Sequence, residues 1–185
     1  MKNVLIVLAV VFGLMLIGGC SIIEFRNGLI NQEETVAQQW GEVENQLQRR
    51  YDLIPNLVAT VKGYAKHEEA VFKGISDARA AMFAAKGVNG KAEAEASLNG
   101  ALSRLLAVAE NYPNLKANEN FIRLQDEIAG TENRKAVAVK RYNDSVKAFN
   151  ASIKMFPGNL FGFTAKEYYN PPSKGKIETA PEVKF

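Results

Sequence analysis

The chain has 185 residues, a length suited to one domain. Its 23 Lys plus Arg against 20 Asp plus Glu leave a net charge of +3, too mild for the concentrated basic face of a nucleic-acid binder. One Cys and one His exclude a disulfide framework and a Cys- or His-rich metal centre, and nothing in the composition calls for a cofactor.

Lys2 precedes 20 residues, 4–23, that carry no charge. A helix rises about 1.5 Å per residue, so this run spans roughly 30 Å, the thickness of a bilayer's hydrocarbon core. The same residues read as a secretory signal, with a basic start, an apolar core and small residues after it. Ile17-Gly18-Gly19-Cys20 resembles the bacterial lipobox, in which the Cys is lipidated. Cys20 is therefore a lipidation candidate, and the competing reading is a retained membrane helix carrying a small apolar thiol. Both readings agree on side. Lys2 is positive before the run, while Glu24 and Arg26 cancel after it. The positive-inside rule then leaves the amino terminus in the cytoplasm and the bulk of the chain on the extracytoplasmic side of a bacterial membrane.

Three helical stretches follow. The first is expected over residues 27–86, with Val36, Trp40, Val43, Leu47, Tyr51, Ile54, Val58 and Val61 on one face at steps of three and four. The glycines of the GVNG run at 87–90 are read as its stop. The second stretch is expected over 91–112 and ends at Pro113; the third is expected over 118–156 and ends at Pro157-Gly158. The third has a polar interval around Thr131 and Lys135. Strand signals are nearly absent. The predicted fold is all-α, an up-and-down antiparallel bundle of three to four helices with a long first helix. The organisation read is 1–23 signal or membrane anchor, 24–170 helical bundle, 171–185 flexible tail. Near the end, Leu160, Phe161, Phe163, Tyr168 and Tyr169 form an aromatic cluster. It reads either as a cap on the bundle's open end or as an interfacial anchor, because rings with nearby Lys suit headgroup depth.

Residues 49–68 read RRYDLIPNLVATVKGYAKHE, preceded by WGEVE at 40–44. Together with YPNLKA at 112–117, TENR at 131–134, RYN at 141–143 and Phe156-Pro157, this run closely resembles the LemA family of bacterial membrane-associated proteins. The lipobox-like start resembles one branch of it. The resemblance implies a helical bundle on a membrane anchor and implies no catalytic residue.

Within the motif, Pro55 removes a backbone donor and crowds the preceding turn, so a kink is expected. It reads as a bend that fits the helix around its neighbours, or as a hinge, or as the break of a four-helix version. Asn56 is placed to satisfy a backbone group exposed by the bend. Arg49, Arg50 and Asp52 precede it, while Glu132, Arg134 and Arg141 sit on the third helix. An antiparallel pairing brings some of these together as a buried ionic network; the same guanidinium forks also suit a phosphate or headgroup. Trp40 and Tyr142 are read as core or interaction residues. His67 with Glu68 and Glu69 is read as a solvated face, since adjacent helical residues diverge.

The function expected from all this is a membrane-anchored helical scaffold, without catalysis, that self-assembles and organises or shapes the membrane. The apolar stripe of Val36, Trp40 and Val43 on an overlong helix is what calls for neighbouring copies. The alternative is a cell-envelope lipoprotein adaptor in signalling or proteolysis. The partners expected are membrane lipid, further copies of the chain or an envelope protein, and no nucleic acid.

Overall fold

A computed structural model describes residues 2–170. Five helices follow in order: α1 (Lys2–Lys62), α2 (Glu69–Ala84), α3 (Gly87–Ala109), α4 (Pro113–Lys116) and α5 (Glu119–Lys154), then a 3-10 turn, Gly158–Leu160. No strand occurs among the described residues, so the all-α expectation holds. No helix among the described residues is long and apolar enough to cross a membrane. Most side chains of the uncharged run, and that of Cys20, lie outside the described residues, and with them the anchor and lipidation expectations. So does the tail at 171–185.

The helix boundaries correct the sequence reading. α1 runs through Pro55 and ends at Lys62, so the break lies seven residues beyond Pro55 and the 27–86 stretch is two helices. Gly63 opens the turn, with Tyr64 and Ala65 N–H groups donating to the Val61 carbonyl at 3.0 and 2.9 Å. Ala65 is fully buried there, which draws the chain inward and reverses it. Gly87 has a φ of +69°, and it opens α3 instead of capping the helix before it. Pro113 is likewise not a simple stop. It takes the first position of α4, where its missing N–H has no helical partner to lose. Asn118 caps α5, its Oδ1 accepting from the Phe121 N–H at 3.1 Å.

Contacts divide the chain into two compact units. One is Met1–Val43 with Ala138–Lys166, the other Glu44–Val137 with Glu167–Phe185. In the second, Ile54, Leu57 and Val61 of α1, Phe72, Ile75 and Ala78 of α2, Leu98, Leu102 and Leu105 of α3, Leu115 of α4 and Phe121 of α5 make one core. The buried α1 positions run Val43, Leu47, Arg50, Ile54, Leu57, Val61. The centre of the interior stripe thus passes through Arg50 and Leu57, while Val58 packs half-buried at its edge and Tyr51 is half-buried.

In the first unit, α1 and α5 run antiparallel. Trp40 packs on Tyr142 with ring centroids 5.2 Å apart, and Phe25 stacks on Phe161, beyond the end of α5, at 6.3 Å. Val36 and Val43 are buried, as are Ala138, Tyr142, Val146 and Phe149. The chain itself therefore covers the stripe that called for neighbouring copies. Past Gly162 (φ +71°) the chain is extended. Phe163 meets Phe149 edge to face at 6.0 Å. The Asn150 side chain mimics a strand partner: it donates to the Lys166 carbonyl and accepts from the Lys166 N–H, both at 2.8 Å. Lys166 Nζ also reaches Glu33 at 2.5 Å.

Candidate functional site

The polar centre of the second unit is built from three helices and the tail. Arg50 (α1) donates from Nη1 to Glu132 Oε2 (α5) at 2.7 Å and to Glu95 Oε1 (α3) at 3.2 Å. Lys135, one turn after Glu132, donates to Glu132 Oε1 at 2.6 Å and also to Glu95 Oε1. Tyr169 closes the set, its hydroxyl donating to Glu95 Oε2. Glu95 is only 2% exposed, whereas the Glu132 side chain is 44% exposed. The cluster is thus dry at Glu95 and open to water at Glu132.

Two cations against two carboxylates make the group neutral. An isolated buried charge would be prohibitive, while a paired one is tolerated when its hydrogen bonds are met. Glu95 meets this demand with three donors, from Arg50, Lys135 and Tyr169. Burial, then the negative charge of Glu95, pushes the Tyr169 hydroxyl far above its usual 10.0, so it remains a donor. Such a group adds little net stability compared with apolar packing. What it fixes is register, because a one-turn slip of α3 or α5 would strand a charge in the core.

The structure brings together Arg50 and Glu132 of the residues picked from sequence. Arg49, Asp52, Arg134 and Arg141 are exposed and stay outside the cluster; Asp52 accepts from Gln48 at 2.8 Å. Physically, their positions lie off the buried stripes of α1 and α5. Asn56 is exposed too. Its carbonyl accepts from the Thr60 hydroxyl, and no side-chain bond from it to the backbone near Pro55 occurs among those described. His67 is exposed in the α1–α2 turn. The sequence alone does not place Glu95, Lys135 or Tyr169 in this cluster: Lys135 reads there as part of a polar interval and Tyr169 as part of the aromatic cluster near the carboxyl end. The signal for Glu95 was present: Ala92, Glu95, Leu98, Leu102 puts a lone carboxylate on an otherwise apolar face.

Arg50 and Glu132 also border a groove of about 570 Å³ with Leu57, Leu102, Leu106 and Ile128. No cluster of His, Cys, Asp or Glu fit to hold a metal occurs among the described residues. Every carboxylate oxygen of Glu95 and Glu132 already accepts from a cation or a hydroxyl of the chain. A cluster so occupied is suited to holding elements in place.

The sequence model of the LemA family matches residues 39–185, which takes in the whole cluster. The chain belongs to the LemA family. It is also similar to two magnetosome proteins of Paramagnetospirillum magneticum (strain ATCC 700264 / AMB-1), MamQ 1 and MamQ 2. It is 26% identical to each over 196 residues, covering 86% of this chain and 72% of theirs. These relationships suggest a membrane-associated helical protein.

Removing only the Tyr169 hydroxyl tests the tail's share. Tyr169→Phe leaves Glu95 Oε2 buried without its donor, an expected loss of about 1–3 kcal/mol at neutral pH. Because the folded-state value is raised, the hydroxyl's contribution is complete below pH 10.0 and falls as pH rises beyond it. Urea unfolding at neutral and strongly alkaline pH should show the gap between the two proteins narrowing. A gap that is constant with pH would place the tyrosine proton elsewhere.

Proposed function

We propose that this LemA-family chain is a membrane-anchored helical scaffold of the bacterial cell envelope that acts by contact and not by catalysis. The observation that carries the reading is the uncharged run at 4–23, which belongs to the same helix, α1, as the folded part of the chain. An uncharged helical run of about 20 residues has the length needed to cross a bilayer's hydrocarbon core, which supports the anchored reading. Lys2 ahead of the run supports an extracytoplasmic position for the rest. The lipobox-like residues before Cys20 support acylation there as the anchor's second form. Arg50, Lys135 and Tyr169 are committed to Glu95, which supports a structural use of this polar cluster.

Copies tethered in one membrane share two dimensions, and self-assembly through their outer surfaces is part of the proposal. Val36 and Val43 are not its interface, since the chain buries both. The test is flotation of the full chain with phospholipid vesicles, with and without alkaline carbonate, followed by light scattering in detergent and intact mass. The expected results are flotation that carbonate does not reverse and a particle larger than one chain. Extraction by carbonate overturns the anchor, and a clean monomer overturns the assembly. A mass of the full chain from Met1 overturns acylation at Cys20 and leaves the retained helix.

A further inference from the structure

Within the first unit the end of α5 makes a sharp corner. The Asn159 N–H donates to the Met155 carbonyl at 3.1 Å and the Leu160 N–H to the Pro157 carbonyl at 3.1 Å. This tight corner holds Met155, Phe156 and Leu160 outward: Phe156 is 79% exposed and Leu160 70%. Single exposed apolar residues on a surface need no explanation, but a group of them does. Phe161, next to Leu160, stacks on Phe25 of α1, which fixes the corner beside that point of the helix. One turn earlier on α1, Ile22 and Ile23 are exposed as well.

That point is where the uncharged run ends. Ile23 is its last residue, two residues from Phe25, or about 3 Å along a helix axis. The headgroup layer beyond the hydrocarbon core is roughly 5–7 Å thick on each side. A corner level with Phe25 therefore lies at headgroup depth whenever the run spans the core. Exposed Arg26 and Lys154 flank it, and cations with long apolar stems suit that depth.

We infer that the Met155–Phe156–Leu160 corner is a second membrane contact, which inserts into the lipid headgroup and upper acyl region beside the α1 anchor. The inference rests on the anchored reading above and adds to it a specific surface and occupant. Two contacts on one membrane restrict the unit's tilt where a single helix would leave it free to swivel. The aromatic cluster near the carboxyl end thereby splits its work: Phe161 and Phe163 are half-buried against Phe25 and Phe149, Tyr169 is buried, and Leu160, with Phe156 before it, faces lipid.

The test reconstitutes the full chain in vesicles of phosphatidylcholine and phosphatidylglycerol, with and without brominated acyl chains, which quench tryptophan on contact. Three variants each add one tryptophan to the constant background of Trp40: Leu8→Trp in the run, Phe156→Trp at the corner, and Phe83→Trp on α2, a position equally exposed. Phe156→Trp is expected to lose at least roughly half of its added emission, as an interfacial side chain about 5–10 Å deep would. Leu8→Trp should be quenched and Phe83→Trp should not. Quenching at Leu8 without quenching at Phe156 overturns the corner and leaves the anchor standing. Absence of quenching at both, in protein whose intact mass begins at Met1, overturns the anchored reading itself. Equal quenching at Phe83 and Phe156 removes any special standing of the corner. A blue-shifted but unquenched Phe156→Trp assigns the corner to a second copy of the chain and overturns lipid contact.

Discussion

Glu95→Ala is expected to destabilise the protein by about 3–5 kcal/mol, the cost of removing one partner from a buried charge cluster. At about 2–4 °C per kcal/mol for a chain of this size, the melting temperature should fall by roughly 10 °C. The cause is not the lost carboxylate in itself. Arg50 and Lys135 remain, both buried, with only the half-exposed Glu132 to share between them, and Tyr169 loses its acceptor. Arg50→Ala should cost nearly as much, because Glu95 is the most enclosed charge and would keep only Lys135 and Tyr169. Two controls separate this from a general sensitivity to charge. Asp52→Ala, at an exposed residue bonded to Gln48, should shift stability by less than about 0.5 kcal/mol. Replacing Arg50, Glu95 and Lys135 together by apolar residues of similar volume should recover most of the loss, since such swaps are commonly neutral or better. Thermal melts followed by circular dichroism read all four. If Glu95→Ala melts with Asp52→Ala, the cluster does not hold α1, α3 and α5 in register.

That cluster also shows where a sequence is legible. Helical periods gave the helices themselves, because burying one face demands apolar residues every three or four positions, and Leu98, Leu102 and Leu105 meet that demand inside the core. The same rule misled at its edges. Tyr51 falls on the apolar period, yet Arg50, one residue away, is the buried one. The sequence offers Arg49, Arg50 and Asp52 alike for a buried ionic network, and which of them is interior depends on partners 45 and 82 residues distant. Thr131 and Lys135 looked like an interruption of the third helix's face. They are buried positions on it, with Lys135 meeting Glu95 and Glu132. Gly63 leaves no mark on the period, because the apolar spacing of Val61, Ala65 and Phe72 runs across it, though the chain turns there and buries Ala65. The extended return past Gly162 left no periodic signal, since its pairing is to the side chain of Asn150 and not to another strand.

Gly158→Ala is the second large effect expected, and it arises from crowding. A Cβ at Gly158 would lie 2.1 Å from the Ser152 carbonyl oxygen and 3.2 Å from the Ile153 Cα. Both are backbone atoms of the last turn of α5, so no side chain can rotate away. The corner would have to lift by about 1 Å or more, and Phe161 would leave its stack on Phe25 with it. Overpacking of this kind costs typically 1–3 kcal/mol and occasionally more; with backbone on both sides the upper end, about 3 kcal/mol, is expected. Two other glycines calibrate the result. At Gly162, where φ is +71° and nothing lies within 4 Å, alanine should cost only the left-handed conformation, about 1–2 kcal/mol. At Gly74, inside α2 with open space around it, alanine should stabilise by about 0.5–1 kcal/mol. Chemical unfolding of the three variants gives the order directly. Limited trypsin digestion at Lys154 should quicken in Gly158→Ala alone, because only there does the turn after α5 come loose. A Gly158→Ala protein as stable as the parent, with Lys154 still protected, would mean that the corner has room to spare and is not held as tightly as its hydrogen bonds require.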